Sequence, residues 1–285
     1  MKENRKLVIE YEGKTCPINI SISGTGPESV FFVHGLTSRL EVWTGTVALL
    51  SKNARCICLD LPGHGLSGEF ENYSLELYIH VLKEVFAAYA PGPAILAGHS
   101  MGGLVSIAFA AENPDKVKKL ILFAPAGIEK FRPDERLLLQ QMVSALYMRQ
   151  SVFTNLLHDF RNMQSHPEPA SAAFLEGLAD KYEGTVQHYN MKLVHDCVIA
   201  ILKFPAYDSL EKIKQATLLF FGDSDRLIPN RLLHGTNTTE IAKDGAAQIM
   251  NCKLVIYKNC GHYVQRERTT ESAEEIKKFL APTQS

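Results

Sequence analysis

The apolar positions of the chain fall into short continuous runs separated by longer helical periods. The runs SVFFV, ARCICLD, PAILAG, KKLILFA, ATLLFF and KLVIY recur between residues 29 and 257. Continuous apolar runs of this length are typical of strands that are buried on both faces of a parallel sheet. Because helical patterns lie between the runs, crossover helices are indicated. The chain is therefore predicted to adopt an α/β fold, a mostly parallel twisted sheet with helices on both faces.

The chain begins with β-rich runs of a different kind. LVIEY and INISIS precede SVFFV, and clusters of Gly, Pro and Thr separate all three. Such clusters are typical of turns between strands. These runs predict an antiparallel entry into the sheet.

The longest interruption of the strand pattern covers residues 127–204. It is helical in pattern and rich in Leu, Met, Phe, Tyr and His. Because a structureless loop of this length is improbable in a compact domain, the segment is predicted to be an inserted helical cap whose apolar faces pack on the sheet. Residues 1–126 and 205–285 then form the core domain. A second stretch, residues 230–242, contains HGTNTTE and precedes a helix that should end near Met250. The pattern assigns this stretch no function.

Composition and charge narrow the class of partner. Hydrophobic residues make up 46% and charged residues 21% of the 285 residues, which is usual for a water-soluble globular enzyme. Thirty basic residues against 31 acidic ones leave a net charge of -1, too small for a field that would attract nucleic acid or an anionic membrane. We expect a small-molecule substrate as the partner and no nucleic acid; oligomeric state stays open.

The sequence also carries no sign of a membrane-spanning or exported segment. The N-terminus, MKENRKLVIEY, is charged and then strand-like, and no apolar run reaches 18 residues. We expect no integral membrane association and a cytoplasmic location.

The six cysteines do not form a disulfide or metal pattern. Cys56 and Cys58 project from one face of a strand, where a bond between them would require distortion. Neither this pair nor Cys252 and Cys260 has a second pair at ligand spacing. We expect buried reduced thiols and no metal.

The strongest chemical signal is GHSMGG at residues 98–103, directly after the strand PAILA and at the start of a helical pattern. A serine in this strand-turn-helix setting is typical of a nucleophile elbow. Gly98 and Gly102 allow the tight turn, and Ser100 lies at the positive end of the helix dipole. A serine that only caps the helix would not require glycines on both sides.

Three further motifs follow the chain order that accompanies such an elbow. They are VHG at 33–35, GDSD at 222–225 with Pro229, and CGH at 260–262. With the elbow, they resemble the α/β-hydrolase superfamily over nearly the whole chain, in particular its capped group of esterases and carbon–carbon bond hydrolases. The resemblance implies the order nucleophile, acid, base.

The resemblance also assigns the site residues. It implies Ser100 as nucleophile, His262 as base and Asp225 as the acid that fixes the tautomer of His262, with Asp223 as the competing acid. His99, beside the nucleophile, is expected to be structural. The oxyanion hole would use the backbone N–H groups of Leu36 and Met101.

The implied chemistry is acyl transfer through Ser100 without a cofactor. A carboxylic ester or thioester with a small to medium apolar acyl group is the default substrate. One alternative is carbon–carbon bond hydrolysis of meta-cleavage-type diketones, favoured by GHYVQ at 261–265; against it, Tyr263 occupies a position where that group usually has Trp, and no arginine in the cap can be assigned to an acidic substrate. A second alternative is a small-molecule receptor with slow turnover, because the same fold serves many functions.

Overall fold

A computed structural model describes residues 2–149, 190–204 and 206–281 of the chain. Within these ranges the strands form one eight-stranded sheet. In chain order they are β1 Lys2–Tyr11, β2 Lys14–Ser23, β3 Glu28–Val33, β4 Ala54–Leu59, β5 Ala94–His99, β6 Val117–Phe123, β7 Ala216–Gly222 and β8 Cys252–Tyr257. Every apolar run of the sequence lies on one of these strands.

The order of strands across the sheet is β1-β2-β4-β3-β5-β6-β7-β8. β2 pairs antiparallel with β1 and β4, whereas all pairs from β4 to β8 are parallel. The antiparallel entry and the mostly parallel sheet are therefore confirmed. The order reverses at β3, so the loops after β3 and β5 leave the same edge side by side. Such a switch point is where open α/β sheets place their ligands.

Helices cover both faces of the sheet, as the pattern predicts. In chain order the described α-helices are α1 Thr44–Leu50, α2 Leu75–Tyr89, α3 Met101–Glu112, α4 Pro133–Tyr147, α5 Met191–Lys203, α6 Ala206–Ser209, α7 Thr238–Gln248, α8 Val264–Glu267 and α9 Thr269–Leu280. Short 3-10 helices span Leu40–Trp43 and Leu210–Lys212. The helix expected to end near Met250 is α7, which ends two residues earlier.

Alternate residues of each central strand enter two different apolar layers. On β3, Phe31 packs with α2 and α3, where its ring stacks on Phe86 at 4.1 Å between centroids. Phe32 points to the other face, where α1 and α9 pack and where it contacts Trp43 at 5.2 Å. This alternation follows from the two-residue period of a strand. Helices therefore cover both faces of the sheet, and the carboxyl edge is where a functional site can form.

The described parts of the inserted region contain two helices, α4 and α5. α5 packs on the core through buried Leu193, Val194 and Cys197, and Cys197 Sγ lies 3.1 Å from the hydroxyl of Tyr78 on α2. α4 contacts α5, where Gln140 Nε2 donates to the Leu202 carbonyl at 3.3 Å. Residues 150–189 of the predicted cap lie outside the described residues. That the cap begins at residue 127 and ends at residue 204 stays a prediction.

Candidate active site

Ser100 occupies the strained turn between β5 and α3. Its φ of 51° and ψ of -119° lie outside the regions that side-chain-bearing residues usually adopt. Such a conformation costs on the order of 1–3 kcal/mol and persists only where neighbours fix it. Here the Ser100 N–H donates to the Phe123 carbonyl at 3.0 Å, and its carbonyl accepts from Ala126 N at 2.9 Å. These bonds fix the backbone of the turn, and Ser100 itself is partly exposed.

The loop after β3 lies directly against this turn. A Cβ on Gly102 would collide with the carbonyl oxygens of Val33 and His34. A Cβ on Gly35 would lie 3.0 Å from Ser100 Cβ and 2.9 Å from His99 Nδ1. Glycine is required at both positions because no side chain fits between the two loops.

Two backbone N–H groups flank Ser100 without an acceptor. Neither Leu36 N nor Met101 N donates a hydrogen bond within the described residues. Met101 is the first residue of α3, where N–H groups have no partner in the helix and the dipole favours negative charge. The pair predicted to form the oxyanion hole thus lies on the two loops that meet at Ser100.

The side chain of His34 fixes the loop that carries Leu36. Its Nδ1 donates to the Gly35 carbonyl at 2.8 Å, and its Nε2 accepts from Leu61 N at 3.0 Å. Burial lowers the pKa of His34 to about 4, so the ring is neutral, as an accepting Nε2 requires. The histidine side chain of the VHG motif thus helps to fix the loop that carries Leu36. The sequence alone did not reveal this contact.

Asp225 and His262 meet in the buried region beyond the ends of β7 and β8. His262 Nδ1 lies 2.8 Å from Asp225 Oδ2, and both side chains are buried. The other carboxylate oxygen, Oδ1, accepts from Leu227 N at 2.8 Å and Ile228 N at 3.2 Å. Because these N–H groups orient the carboxylate, Oδ2 faces Nδ1 and selects the tautomer in which Nδ1 carries the proton. His262 Nε2 is then an acceptor, and it has no hydrogen-bond partner within the described residues.

Asp223 has a different position from Asp225. Its Oδ1 accepts from Ser224 Oγ and from Asn259 N, both at 2.8 Å. Asp223 therefore ties the loop after β7 to the loop after β8. It is Asp225 that contacts the imidazole of His262.

His99, the neighbour of Ser100 in sequence, contacts the backbone of His262. His99 Nε2 donates to the His262 carbonyl at 3.0 Å, and the two rings lie 4.9 Å apart. Ser100 Oγ is not hydrogen-bonded to His262 Nε2, a contact that in hydrolases often tightens only when substrate binds. Burial holds the pKa of His99 well below its usual range, so the ring stays neutral. The structural role expected of His99 thus includes holding the backbone of the candidate base.

Three buried histidines are expected to make the stability of the fold sensitive to acid. Burial lowers the pKa of His34 to about 4 and that of His64 to about 3, and it depresses the pKa of His99 as well. In the unfolded chain each should titrate near its ordinary value of about 6.5. The unfolded state therefore binds more protons below that pH, and the free energy of unfolding should fall by roughly 1.4 kcal/mol per pH unit for each histidine as the pH drops from about 6 towards 4.

Urea unfolding at a series of pH values between about 7 and 4.5 measures this slope. His64→Gln should make it shallower, whereas His80→Gln, which changes a partly exposed histidine on α2, should leave it as it is. A wild-type free energy of unfolding that stays constant over this range would contradict the expectation.

Two further searches of the structure concern other kinds of site. No three His, Cys, Asp or Glu side chains in the described ranges are grouped so that they could hold a metal ion. No helix within those ranges is long and apolar enough to cross a membrane.

Comparison with known proteins identifies the family. The family model of the α/β-hydrolase fold, which describes the sequences of that family, matches residues 28–269 of this chain. The chain is 27% identical to human monoacylglycerol lipase ABHD6, over 89% of this chain and 75% of the relative. It is also 27% identical to the 2-hydroxy-6-oxononadienedioate/2-hydroxy-6-oxononatrienedioate hydrolase of Escherichia coli, over 98% of this chain and 96% of the relative. The structure of a thermophilic esterase from Thermogutta terrifontis superimposes with a TM-score of 0.77 at 19% identity, covering 98% of both chains. The chain belongs to the α/β-hydrolase fold family.

Proposed function

We propose that this hydrolase acts through a Ser100–His262–Asp225 triad. The observation that carries the proposal is the buried 2.8 Å contact between His262 Nδ1 and Asp225 Oδ2, which leaves Nε2 as an acceptor. Ser100 supplies the nucleophile from the strained turn between β5 and α3. The three residues have the chemical roles and the chain order of a serine hydrolase.

In the proposed reaction, His262 Nε2 takes the Ser100 hydroxyl proton as Oγ attacks the carbonyl carbon of the substrate. The oxyanion that forms accepts hydrogen bonds from the N–H groups of Leu36 and Met101, each worth on the order of 3 kcal/mol. The tetrahedral species collapses to an acyl-enzyme, and His262 returns the proton to the leaving group. Water, deprotonated by the same histidine, then releases the acid.

The proposed substrate is a carboxylic ester or thioester with a small to medium apolar acyl group. Hydrolysis of an ester needs only the triad and the oxyanion hole. Two of the similar proteins are named for this chemistry, the human monoacylglycerol lipase and the Thermogutta esterase. Segment 127–204 is proposed to cap the site, and α4 and α5 are its described helices.

Carbon–carbon bond hydrolysis is a second candidate. The Escherichia coli relative, which covers almost the whole chain, is named for a dienedioate substrate of this kind.

A panel of p-nitrophenyl esters of increasing acyl length tests the proposal, with one dienolic carbon–carbon substrate alongside. Turnover of the esters by the wild type and its loss in Ser100→Ala would support the serine esterase, and the preferred chain length would give the length of the acyl pocket. Cleavage of the dienolic compound alone would favour the second candidate. A wild type that cleaves none of these compounds would contradict both candidate reactions and favour a receptor role.

A further inference from the structure

Segment 230–238 follows the loop after β7 and ends at Thr238, the first residue of α7. It contacts the backbone at Asp225. Thr238 Oγ1 donates to the Ile228 carbonyl at 2.7 Å, with the Asp225 carbonyl 3.3 Å away, and this threonine is fully buried. Arg231 Nη2 donates to the same Asp225 carbonyl at 3.2 Å. Two side chains of this segment therefore fix the residue whose carboxylate contacts the candidate base.

The middle of the segment is anchored by His234 between two carboxylates. His234 Nδ1 bonds to Glu129 Oε1, and His234 Nε2 lies 3.5 Å from Glu135 Oε2. The ring of Phe131 stacks on the imidazole with 5.1 Å between centroids. Glu129 also accepts from the N–H of Asn230, at 2.9 and 3.0 Å to its two oxygens. The segment that follows the acid is thus bound to the chain that enters α4, about a hundred residues earlier.

Both carboxylates around His234 are held in place from elsewhere. Glu135 accepts from the backbone N–H of Arg132 at 2.8 Å, which caps α4, and the Arg132 guanidinium lies 3.2 Å from its other oxygen. Glu129 is itself buried. On the segment itself, the charge of Arg231 is directed at the Asp225 carbonyl. Only an imidazolium can donate from both ring nitrogens, so this arrangement favours protonated His234.

The electrostatics agree with the geometry. Burial alone would lower the pKa of His234, but the hydrogen bonds and charges of Glu129 and Glu135 outweigh it, and the pKa ends above its ordinary value. Burial raises the pKa of Glu129, against the opposing effect of His234 and Asn230. Near neutral pH, this arrangement therefore favours the proton on the imidazole of His234.

We propose that His234 is a positioning residue for the acid of the triad: as an imidazolium clamped between Glu129 and Glu135, it anchors the segment that holds Asp225 in line with His262. This proposal rests on the proposed function. The clamp is fully formed below the ordinary pKa of histidine, about 6.5, and it is lost as the pH rises through the raised pKa of the folded protein. Activity should therefore fall at high pH, as the clamp is lost.

The profile of kcat and KM against pH tests this for wild type, His234→Gln and a control. The matched control is His195→Gln, because His195 is also a half-buried histidine beside a carboxylate, with Asp196 Oδ1 at 3.1 Å and a side-chain exposure of 21% against 20% for His234. We expect His234→Gln to lower kcat about tenfold near neutral pH, as for loss of a charged hydrogen bond, and to leave KM within about twofold. The decline of kcat at high pH should disappear in His234→Gln and persist in His195→Gln.

Two results would overturn the proposal. One is a His234→Gln enzyme that keeps the wild-type decline at high pH; the other is a change in KM alone, which would mean that the clamp shapes the substrate pocket. Glu129→Gln provides a second variant if His234→Gln does not fold, and the same loss of kcat and of the alkaline decline is expected of it.

A double-mutant cycle in urea unfolding separates this proposal from the proposed function. The coupling between His234→Gln and Glu129→Gln, measured with the double variant, should be larger near pH 6 than at a pH of about 9, because a neutral imidazole keeps only one N–H donor. This should hold whether or not the protein hydrolyses any ester. If wild type hydrolyses no ester while the coupling is present, the proposed function fails and the clamp stands. If the coupling is absent at both values, the clamp fails whatever the enzyme does.

Discussion

Replacing Ser100 by alanine is expected to lower ester hydrolysis by about 10⁴- to 10⁶-fold, because no covalent acyl-enzyme can form without Oγ. The residual rate would come from the oxyanion hole and from substrate binding, which the substitution leaves in place. Steady-state kcat on the best ester of the panel measures the loss. A fluorophosphonate should form a covalent adduct with the wild type, seen by mass spectrometry, and none with Ser100→Ala.

The substitution should not disturb the fold, since the bonds that fix the turn are made by the Ser100 backbone. Thermal unfolding should therefore stay within a few degrees of the wild type. Ser106→Ala is the matched control: Ser106 is buried on α3, six residues after Ser100, and its Oγ donates to the Gly102 carbonyl at 2.7 Å. It should keep activity within a few-fold. A Ser100→Ala enzyme that hydrolyses esters at a similar rate to Ser106→Ala would refute the assignment of the nucleophile.

The fold could be predicted from sequence because its strands are buried on both faces. β5, for example, shows as the run PAILAG, since no position on it faces water. The order of strands across the sheet could not be predicted from the pattern of apolar residues. Whether β3 pairs with β4, with β5 or with both depends on tertiary pairing, and that pairing decides that the loops after β3 and β5 are neighbours.

The site was predictable where a local motif marks it. GHSMGG marks the elbow because the close approach of two loops excludes side chains at Gly102. Asp223 and Asp225 stand two residues apart on one loop, and only the resemblance favoured Asp225 before the 2.8 Å contact with His262 was observed. The contacts of His99 and His234 had no local signal in the sequence, because their partners lie 163 and 105 residues away along the chain.

Asp225→Asn is expected to lower kcat by about 10⁴-fold through the tautomer of His262. Asp225 Oδ1 accepts from two backbone N–H groups, those of Leu227 and Ile228, so the asparagine should place its carbonyl oxygen there. Its NH₂ group would then face His262 Nδ1 and donate to it. That bond requires the proton on Nε2, and His262 could no longer accept the proton of Ser100.

The matched control is Asp223→Asn, which changes the neighbouring carboxylate in the same loop. An amide oxygen can still accept from Ser224 Oγ and Asn259 N, so the link between the two loops should survive and kcat should stay within about threefold. Both variants keep their backbone bonds and should unfold at nearly the wild-type temperature. Comparing kcat for the two on one ester therefore isolates the effect of the charge beside His262 from that of the loop. If Asp223→Asn were the costlier change, the acid would have to be reassigned, because the 2.8 Å contact of Asp225 would then serve the fold and not the reaction.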